Sequence, residues 1–457
     1  MNYSLIEINN ILNKVNWNSS GEKNLVFQGV SIDSRSVNEN DLFIAIEGNN
    51  FDGHNFIDQV ISKGVKAFVI KNGMQNLIPE NYPYWSVPDT LEAFQEIALY
   101  KRKRLNLKVI GVTGSVGKTT TKEMIGEILR KFVKVKISTE NNNNEIGMGL
   151  TIFSAEKKDK LLVLEMGMRG KGQIKNLSKY SLPDIAVITN VGTSHIGLLG
   201  SRENIAKAKT EIVDYLNPKG VIIIPYNEPL IDENLKKKWK GRIVRVSLIN
   251  KNQKDKINFV DQDVIVGFLD NESKKIFIED KSFQISFKGK HNFMNFLFAY
   301  AVAKELGIEF SEFNKFSFNN LLGRNRIIQS DKVKILDETY NASPESIRAC
   351  VEVLLECPGK HFLILGSIKE LGKESTHRHL EVLNYLCKIN IEFCCFLVNK
   401  EEEEAIKKEF TLNKKIIFFN DANNIPEFIN HKTNSGDSVL VKGSRYWELE
   451  KIIPLIH

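Results

Sequence analysis

The sequence predicts an α/β protein with three domains, and three observations support this prediction. A chain of 457 residues is too long for one ordinary domain, and its length suggests about three. Short apolar runs alternate with helical patterns over most of the chain, which is typical of parallel sheets covered on both faces. One apolar run leads directly into a glycine-rich turn that opens a helix, within residues 111–129.

Residues 1–87 are predicted to form a small α/β domain at the N-terminus. The opening stretch, MNYSLIEINNILNKVN, has the apolar spacing of an amphipathic helix. The other elements predicted in this domain are the strand DLFIAIEG (41–48), a helix from about Asn55 to Lys63 and the strand KAFVI (66–70).

Residues 88–322 are predicted to form a central domain of the P-loop type, built on a parallel sheet. Asp89 or Thr90 should be the N-cap of its first helix. The predicted strands are KVIGV (108–112), KLLVLEMG (160–167), PDIAVITNVGTSH (183–195) and GVIIIP (220–225). The charged, strand-like region 250–290 is expected to be an antiparallel extension, followed by a helix at 290–307.

Residues 323–457 are predicted to form a Rossmann-like C-terminal domain in which strands and helices alternate again. Its helix at 343–356 should begin at Pro344 with Ser343 as its cap, because proline suits the first helical turn. The other predicted elements are strands at 333–338, 361–367, 392–398, 415–419 and 438–444 and a helix at about 374–388.

Charge and composition argue against several classes of protein. The net charge of +7 and the pI near 8.8 suit an anionic substrate, but Lys and Arg are scattered. The densest basic run, Lys101 to Arg104, is interpreted as an exposed helix end, so no nucleic-acid partner is expected. No apolar stretch approaches the roughly 18 residues of a membrane span, and the N-terminus has no charged signal region. Stable membrane insertion and export are therefore not expected.

The cysteines point to a reducing compartment. They are odd in number, form no C-x-x-C pair and lie mostly in apolar segments. Such cysteines are typical of reduced core thiols, and a cytoplasmic protein is expected. They are Cys350, Cys357, Cys387, Cys394 and Cys395.

The glycine-rich turn predicts a phosphate-binding loop of an unusual form. The residue six before Lys118 is Val112, so the pattern G-x-x-x-x-G-K-[ST] fails, and a shorter core remains. This core and the threonine after it are Gly114, Ser115, Val116, Gly117, Lys118, Thr119 and Thr120. Backbone N–H groups at a helix N-terminus bind phosphate oxygens, Lys118 adds a charge, and the Thr119 hydroxyl can ligate Mg²⁺. The glycine spacing and the preceding strand argue against an ordinary strand–helix turn.

Two further side chains are predicted to reach the same crevice. Ligands of open parallel sheets bind beyond the carboxyl ends of the strands, which places Lys118, Glu165 and His195 together. An acid at a strand end is often a helix cap, but near a nucleotide phosphate Glu165 becomes a candidate magnesium ligand. A loop histidine is more often a surface residue, so His195 is the weaker candidate.

A set of motifs in a fixed order resembles the Mur ligase family, whose members are ATP-dependent amide-bond-forming enzymes of peptidoglycan synthesis. These motifs are GVTGSVGKTTTKE, NNEIG (143–147), LEMG, ITNVGTSHI, AKAKTEI (206–212) and GKHNFMN (289–295). Others narrow the resemblance to members that add D-alanyl-D-alanine to UDP-N-acetylmuramoyl-tripeptide. They are DSRSVNENDLFIAIEGNNFDGHNFI (33–57), DETYNASP (337–344), LGSIKELGKES (365–375) and VLVKGS (439–444).

The resemblance implies ATP and Mg²⁺ as cofactors, with ATP phosphates on the 114–120 loop. It implies that Thr119 and Glu165 bind one Mg²⁺ and that His195 binds a second. Lys209 matches a lysine that carries a carbamate in related ligases, although AKAKTEI alone would suggest a solvated helix face. The nucleotide contacts implied elsewhere are Asn292 and Asn295 at the adenine, and Arg326 and Glu338 from the C-terminal domain.

The resemblance also implies the substrate contacts. The groups expected to bind the UDP-linked substrate are Ser34, Arg35, Asp52, Gly53 and His54 near the uridine diphosphate, and Asn143 and Asn144 further along. Tyr340 and Asn341, just before the helix at Pro344, are expected to hold D-alanyl-D-alanine. The implied mechanism activates the tripeptide carboxylate as an acyl phosphate, which the dipeptide amine then attacks. A monomer is expected.

Some positions depart from the family pattern. They are Glu338 and Thr339 in place of Asp-Ser, Ser343 in place of Asn, Ser367 in place of Asp and Glu140 in place of Gly. Alternatives are a sister ligase that adds the third amino acid, folylpolyglutamate synthase, or a non-catalytic nucleotide-binding scaffold. The sister ligase normally has an Asp-Asn-Pro-Arg motif that is absent here, and Tyr340 stands at its histidine position. A scaffold predicts a damaged site, yet Lys118, Glu165, His195 and Lys209 are all present.

Overall fold

The N-terminal part of the chain folds around a five-stranded sheet of order β2-β7-β6-β5-β4. The computed structural model describes residues 2–12, 16–18, 25–48, 51–139, 142–252, 263–270, 272–318, 323–411 and 413–457. The elements here are β1 (Tyr3–Ser4), α1 (Leu5–Ile11), β2 (Asn16–Asn18), β3 (Val26–Phe27), β4 (Gly29–Ser31), β5 (Asp41–Ile44), α2 (Ile57–Ser62), β6 (Phe68–Lys71) and β7 (Tyr84–Val87). Short 3-10 helices occupy Gly53–Phe56 and Gln75–Leu77.

The predicted N-terminal helix starts later than expected. Ser4 caps α1, because its hydroxyl accepts from the Glu7 N–H and the Glu7 carboxylate accepts from the Ser4 N–H. Before this cap, Tyr3 is buried and belongs to the short strand β1, which pairs antiparallel with β3. The prediction of a helix from the first residue was therefore wrong at its start.

A ten-stranded sheet forms the middle of the molecule, in the order β17-β16-β15-β14-β13-β12-β11-β8-β10-β9. Its strands are β8 (Lys108–Thr113), β9 (Val135–Ile137), β10 (Leu161–Glu165), β11 (Ile185–Ile188), β12 (Val221–Pro225), β13 (Arg242–Asn250), β14 (Val264–Asp270), β15 (Lys275–Ile278), β16 (Lys281–Ile285) and β17 (Phe313–Phe316). The helices are α3 (Thr90–Arg104), α4 (Lys118–Arg130), α5 (Glu145–Phe153), α6 (Gln173–Ser181), α7 (Ile196–Leu199), α8 (Arg202–Lys209), α9 (Pro229–Lys238) and α10 (Lys290–Glu305). A 3-10 helix follows α8 at Thr210–Tyr215.

The parallel strands of this sheet are buried on both faces, as their continuous apolar sequences predict. On β10, Leu162 and Leu164 join one core while Leu161 and Val163 join the core on the opposite face. The predicted antiparallel extension is present as the pairings β14–β15 and β15–β16, although β14 runs parallel to β13. Part of the region predicted for it, 253–262, lies outside the described residues.

The last sheet has six strands in the order β18-β19-β23-β20-β21-β22. The elements are β18 (Arg326–Gln329), β19 (Lys334–Glu338), α11 (Pro344–Leu355), β20 (His361–Gly366), α12 (Ser375–Lys388), β21 (Phe393–Leu397), α13 (Lys400–Lys407), β22 (Ile416–Phe419), α14 (Ile425–Lys432) and β23 (Ser438–Lys442). Short 3-10 helices occupy Gly372–Glu374, Ala422–Asn424, Arg445–Trp447, Leu449–Lys451 and Ile453–Leu455. Five strands run parallel and only the edge strand β18 is antiparallel, which suits a Rossmann-like domain.

Two predicted helix caps are confirmed. Asp89 caps α3, since its carboxylate accepts from the Leu91 N–H at 2.8 Å. Ser343 caps α11, where it accepts from the Ser346 N–H and Pro344 occupies the first helical turn. Among the described residues, no helix is both long enough and apolar enough to cross a membrane.

Candidate active site

The phosphate-binding loop connects β8 to α4, and its glycines are required by close neighbours. Gly114 has φ +151°, and a Cβ there would lie 1.9 Å from Thr189 Oγ1. Gly117 has φ +83°, and a Cβ there would lie 2.6 Å from Asn295 Oδ1. Only glycine fits both the left-handed backbone and the space at these positions. The loop therefore presents bare backbone where α4 begins.

Residues that follow β11 hold this loop in shape. Thr189 Oγ1 donates to the Val116 carbonyl at 2.6 Å, and Asn190 Nδ2 donates to the same oxygen at 2.9 Å. Asn190 Oδ1 also accepts from the Val116 N–H, and Ser115 Oγ accepts from the Gly192 N–H. Sequence reasoning did not single out Thr189 and Asn190, although both lie inside the motif ITNVGTSHI.

Lys118 is the first residue of α4, and its ammonium group folds back over the loop. Nζ donates to the Gly114 carbonyl at 2.8 Å and to the Ser115 carbonyl at 3.3 Å. Burial lowers the pKa of Lys118, and nearby Glu165 opposes that shift. Thr119 and Thr120 follow on the buried side of α4. A positive charge and the first hydroxyls of the helix thus lie at one helix N-terminus, which favours a phosphate group.

Glu165 ends β10 beside the loop, because β10 pairs with β8 so that Glu165 lies opposite Val112. Its Oε1 accepts from Asn143 Nδ2 at 3.0 Å, whereas the buried Oε2 has no hydrogen-bond partner among the described residues. A Cβ on Gly167 would lie 2.9 Å from Asn143 Cγ, so a glycine there lets Asn143 approach. Asn144, beside it, is exposed and caps α5 by accepting from the Gly147 N–H.

The residues present fit a magnesium ion that takes most of its ligands from water and substrate phosphates. A buried carboxylate oxygen without a partner is costly unless a proton or a cation reaches it, and Glu165 Oε2 is such an atom. The buried Thr119 hydroxyl supplies a second oxygen of the kind that Mg²⁺ prefers. Within the described residues, no three His, Cys, Asp or Glu side chains converge as a metal cage. Mg²⁺ usually retains waters and substrate phosphates, so this small set of ligands is compatible with it.

His195 and Lys209 lie next to these groups. Burial lowers the pKa of His195, and Lys118 and Lys209 contribute to this shift through their charges. His195 Nδ1 lies 2.6 Å from Oε2 of Glu370, a residue of the last sheet's domain. Lys118, Glu165 and His195, predicted to share one crevice, are thus brought together.

Lys209 is not on a solvated helix face. It is the last residue of α8 and is buried, whereas Lys207 on the same helix is exposed. Burial lowers the pKa of Lys209 well below its ordinary value, and the charge of Lys118 adds to this effect. Within the described part of the chain, no acidic group offsets this shift. The environment of Lys209 therefore favours the neutral amine.

The two asparagines predicted at the adenine are buried on α10. Asn295 Oδ1 accepts from Thr121 Oγ1 at 3.2 Å, which fixes it against the phosphate-binding loop. Asn292 Nδ2 donates to Asn325 Oδ1 at 2.7 Å and so reaches the C-terminal domain. The adenine contact itself stays a prediction, but both residues lie where the loop and the two domains meet.

In the C-terminal domain, a second arginine, Arg324, lies near the predicted Arg326. Arg326 is exposed on the edge strand β18, with Asp337 Oδ2 at 3.9 Å. The charge of Arg324 lowers the pKa of Lys118, so Arg324 lies within electrostatic range of the phosphate-binding loop. Its guanidinium also stacks on the Tyr340 ring at 3.7 Å. The nucleotide contact of Arg326 stays a prediction, and Arg324 is a second candidate for this contact that the sequence did not single out.

Three further residues of the C-terminal domain lie near Arg324, namely Glu338, Asn341 and Lys442. Burial raises the pKa of Glu338, while Lys442 opposes that shift, and Glu338 Oε1 accepts from the Asn325 N–H at 2.9 Å. Lys442 Nζ donates to the Asn341 carbonyl at 2.9 Å. Asn341 itself is exposed at the start of α11. Sequence reasoning quoted Lys442 within VLVKGS but gave it no role.

The residues predicted to bind the uridine diphosphate make their contacts within the N-terminal domain. The Arg35 guanidinium pairs with Asp33 at 2.7 Å and lowers the pKa of that carboxyl to about 2. The carbonyl of buried Ser34 accepts from Lys63 Nζ at 2.8 Å. The structure does not place these groups beside the phosphate-binding loop, and their substrate contacts stay a prediction.

The side chain of His54 is held by hydrogen bonds within the N-terminal domain. Its Nδ1 lies 2.6 Å from Asp52 Oδ1, and its Nε2 accepts from the Lys71 N–H at 3.0 Å. Both ring nitrogens are therefore used inside the domain. A Cβ on Gly53 would lie 2.9 Å from Ala45 Cα, so this segment packs tightly on the end of β5.

The departures from the family pattern have internal partners where they are described. Thr339 Oγ1 donates to Asp337 at 2.8 Å, and Ser367 Oγ donates to Glu402 at 2.9 Å. Ser343 caps α11, as described above. Glu140 lies outside the described residues. All five cysteines are free thiols, four of them buried.

Family models match three consecutive parts of the chain. They are described as Mur ligase family, catalytic domain (residues 26–102), Mur ligase middle domain (112–303) and Mur ligase, glutamate ligase domain (323–445). The second and third matched regions lie within the predicted central and C-terminal domains, and the first runs from the predicted N-terminal domain into α3.

Relatives named UDP-N-acetylmuramoyl-tripeptide–D-alanyl-D-alanine ligase are similar along most of their length. The protein of Synechocystis is 36% identical over 82% of this chain and 80% of its own. The protein of Bacillus subtilis is 34% identical over 94% of this chain and 93% of its own.

Solved structures agree with these relatives. A crystal structure of MurF from Acinetobacter baumannii has a TM-score of 0.86 and 27% identity, and the match covers 99% of this chain and 98% of that one. MurF ligase from Thermotoga maritima in complex with ADP has a TM-score of 0.79 and 28% identity, over 93% and 96% of the two chains. These matches confirm the predicted three-domain α/β fold.

Proposed function

This chain belongs to the Mur ligase family, and we propose that it joins D-alanyl-D-alanine to UDP-N-acetylmuramoyl-tripeptide with ATP, in the synthesis of peptidoglycan precursors. Relatives with this name match almost the whole chain. The observation that carries the proposal is the meeting of Lys118, Glu165, His195 and Lys209 at one crevice that the C-terminal domain closes. A non-catalytic scaffold would not need to keep these four groups together.

Each domain has a share in the proposed reaction. Residues 1–87 bind the UDP-linked substrate, residues 88–322 bind ATP, and residues 323–457 bind the dipeptide and part of ATP. Support for the ATP site comes from the loop geometry and from the ADP-bound relative. Because all three domains come from one chain, a monomer is sufficient, and ATP as a substrate suits a cytoplasmic enzyme.

Lys118 and the loop backbone would hold the ATP phosphates, and Arg324 would face them from the C-terminal domain beside the predicted Arg326. Glu165 Oε2 and Thr119 would hold one Mg²⁺ and His195 a second. When bound, Mg²⁺ neutralises charge on the phosphates. Most of the catalysis is then positioning, since the tripeptide carboxylate must reach the γ-phosphate in line and the acyl phosphate must meet the dipeptide amine.

We propose that Lys209 is carbamylated. Carbamylation by CO₂ requires the neutral amine, and the burial of Lys209 favours that form. A carbamate would add an anionic oxygen ligand next to His195. Lys209→Ala should be nearly inactive and should recover partly with added short carboxylates, whereas Lys207→Ala on the exposed face should behave like wild type. A crystal grown with bicarbonate and Mg²⁺ that shows an unmodified Lys209 would contradict this proposal.

The amine substrate is proposed to bind at the start of α11. A helix N-terminus favours a carboxylate, and D-alanyl-D-alanine offers one carboxylate and little else. Tyr340 is held there by Arg324 stacking, and the exposed Asn341 side chain can add a neutral hydrogen bond. A site for lysine or diaminopimelate would need groups for a further charged end.

The experiment is phosphate release from ATP with defined substrates. With the UDP-linked tripeptide as acceptor, D-alanyl-D-alanine should support at least about tenfold faster release than single amino acids, or about 1.4 kcal/mol. Asn341→Ala should raise the KM for the dipeptide more than the KM for ATP. Equal or better activity with L-lysine or diaminopimelate on the UDP-dipeptide would favour the sister ligase instead.

A further inference from the structure

The C-terminal domain contacts one short segment of the central domain through two carboxylates. We call this segment, residues 192–197, the histidine loop, because it contains His195. Glu345 on α11 accepts from the Thr193 N–H at 2.8 Å and from Thr193 Oγ1 at 3.2 Å. Glu370, in the turn after β20, places Oε2 at 2.6 Å from His195 Nδ1.

The backbone fixes Glu370 on the histidine loop as well. The Gly197 N–H donates to the Glu370 carbonyl at 3.2 Å. A Cβ on Gly197 would lie 2.5 Å from the Gly372 N atom, so the two main chains touch without intervening side chains. His195 and Glu370 both have left-handed backbones, with φ +64° each. Non-glycine residues adopt this conformation rarely, and it persists where the surroundings impose it.

We propose that Glu370 is a positioning residue for His195. A carboxylate that accepts from Nδ1–H fixes the imidazole tautomer and ring orientation, and it leaves Nε2 free to bind a metal ion. This inference rests on the proposed function, because it takes His195 as the ligand of the second Mg²⁺. Sequence reasoning assigned no role to Glu370.

The contact between Glu370 and His195 joins two domains, so it depends on how these domains are docked. His195 belongs to the central domain, so its orienting carboxylate is present only while the C-terminal domain is docked on the histidine loop. The second metal site is then complete only in the docked arrangement, whereas the Thr119 and Glu165 site lies wholly in the central domain. Glu370 thus couples docking to the assembly of one of the two metal sites.

Glu345 provides a matched control for this proposal. It links the same two domains through the same loop, but its hydrogen bonds go to Thr193 and not to the imidazole. Glu374 is a second control, since its carboxylate lies 3.4 Å from Arg378 within the C-terminal domain. If Glu370→Ala lowers the affinity for the second metal ion only by weakening docking, Glu345→Ala should lower it equally. If Glu370→Ala acts by misplacing the imidazole, Glu345→Ala should not show that part of the loss.

The test counts Mn²⁺ ions bound to the full chain with a non-hydrolysable ATP analogue, by electron paramagnetic resonance. Wild type should bind two ions. Glu370→Ala should keep one ion at wild-type affinity and bind the other about 10- to 100-fold more weakly, as is typical when an orienting partner is removed. Glu370→Gln, which can still accept from Nδ1–H, should fall between the two. Glu374→Gln should bind both ions like wild type, and Glu345→Ala should weaken the second ion less than Glu370→Ala does, because it disturbs docking alone.

Several results would overturn the proposal. They are wild-type affinity for both ions in Glu370→Ala, an equal loss in Glu345→Ala, or a single ion in wild type. Circular dichroism melting confirms that each variant is folded, and His195→Ala, which removes the ligand itself, should lose the same ion. Failure of the proposed function would show separately, as phosphate release that does not depend on D-alanyl-D-alanine.

Discussion

The central domain packs against both neighbours through apolar cores, but at the crevice it also makes polar contacts with the C-terminal domain. Toward the N-terminal domain, Phe94 and Ile97 on α3 belong to the same buried apolar core as the strands β5, β6 and β7. Toward the C-terminal domain, apolar side chains such as Ile196 and Leu371 also share one core, and the crevice adds hydrogen bonds, among them Glu345 to Thr193, and the backbone contact of Gly197 with Gly372. We refer to the packing against the N-terminal domain as the apolar interface, and to the hydrogen bonds and backbone contact at the crevice as the polar interface.

The two interfaces differ in how precisely they fix the geometry of neighbouring groups. Apolar burial stabilises without a preferred direction, so the apolar interface can hold a domain without orienting any reacting group. Hydrogen bonds weaken steeply with distance and angle, so the polar interface transmits small displacements to His195 and its neighbours. Variants at the apolar interface should therefore change stability, and variants at the polar interface should change turnover.

The largest effect is expected from Phe94→Ala at the apolar interface. Phe94 is fully buried, its ring packs on Phe153 with centroids 5.2 Å apart, and Gly149 leaves room for it. The free energy of unfolding should fall by about 3–5 kcal/mol, measured by urea denaturation. Turnover per folded molecule should stay near wild type, and Leu91→Ala on the same helix, which is less buried, should lose less. A loss of turnover without a loss of stability would reverse the comparison.

Lys118→Ala should have the next largest effect, and on turnover alone. Removing its ammonium leaves charge that grows on the β- and γ-phosphates without a partner, so turnover should fall at least about 100-fold, or about 2.7 kcal/mol. Binding of the UDP-linked substrate, measured by calorimetry, should be largely unchanged because that substrate is assigned to the N-terminal domain. Near-normal turnover would refute the assignment of the phosphate-binding loop.

Gly197→Ala should displace the central and C-terminal domains from each other at the polar interface without unfolding either domain. Its Cβ would lie 2.5 Å from the Gly372 N atom, and backbone atoms cannot rotate away. Turnover should drop by about tenfold, a change of about 1.4 kcal/mol, while the melting temperature stays close to wild type. Gly170→Ala is the control, because a Cβ added there would meet no atom of the described residues within 4 Å. Full activity in Gly197→Ala would show that docking tolerates displacement.

The smallest effect, when counted over one pH unit, concerns Lys101, which lies on α3 beneath the apolar interface. Burial lowers its pKa to about 8, and its Nζ donates to the Phe153 carbonyl at 2.5 Å. Since the unfolded lysine keeps a pKa near 10.5, the unfolded state binds more protons between these values. Stability should therefore rise with pH from about 8 to 10, by at most about 1 kcal/mol per pH unit. Lys101→Met should remove this slope in paired urea titrations, and identical slopes would contradict it.

Helices and strands were predicted correctly where the local sequence pattern matches the way the element packs in the fold. The apolar strands β8, β10 and β11 and the capped start of α11 were predicted because burial on both faces and cap chemistry are visible in the sequence. Helix α13 was not predicted, because its run of glutamates gives no apolar face, although Ile406 packs into the core.

For the site, the residues that touch across sequence-distant elements were the hardest to predict. Lys118, Glu165 and His195 could be placed together because strand ends converge at one edge of a sheet. The positions of Arg324 near the phosphate-binding loop and of Glu370 on the histidine loop could not be predicted. Both depend on how the C-terminal domain docks, and docking leaves no periodic pattern in the sequence.

The order of strands in the last sheet has a consequence for biosynthesis. The strand β23 comes after all its neighbours in sequence, yet it lies between β19 and β20 at the centre of the sheet. As the chain emerges from the ribosome, β19 and β20 have no partner between them until residue 442 has been made. The N-terminal and central parts can fold first, as domains do during synthesis. The edges of β19 and β20 that face β23 stay unpaired until this late strand completes the sheet.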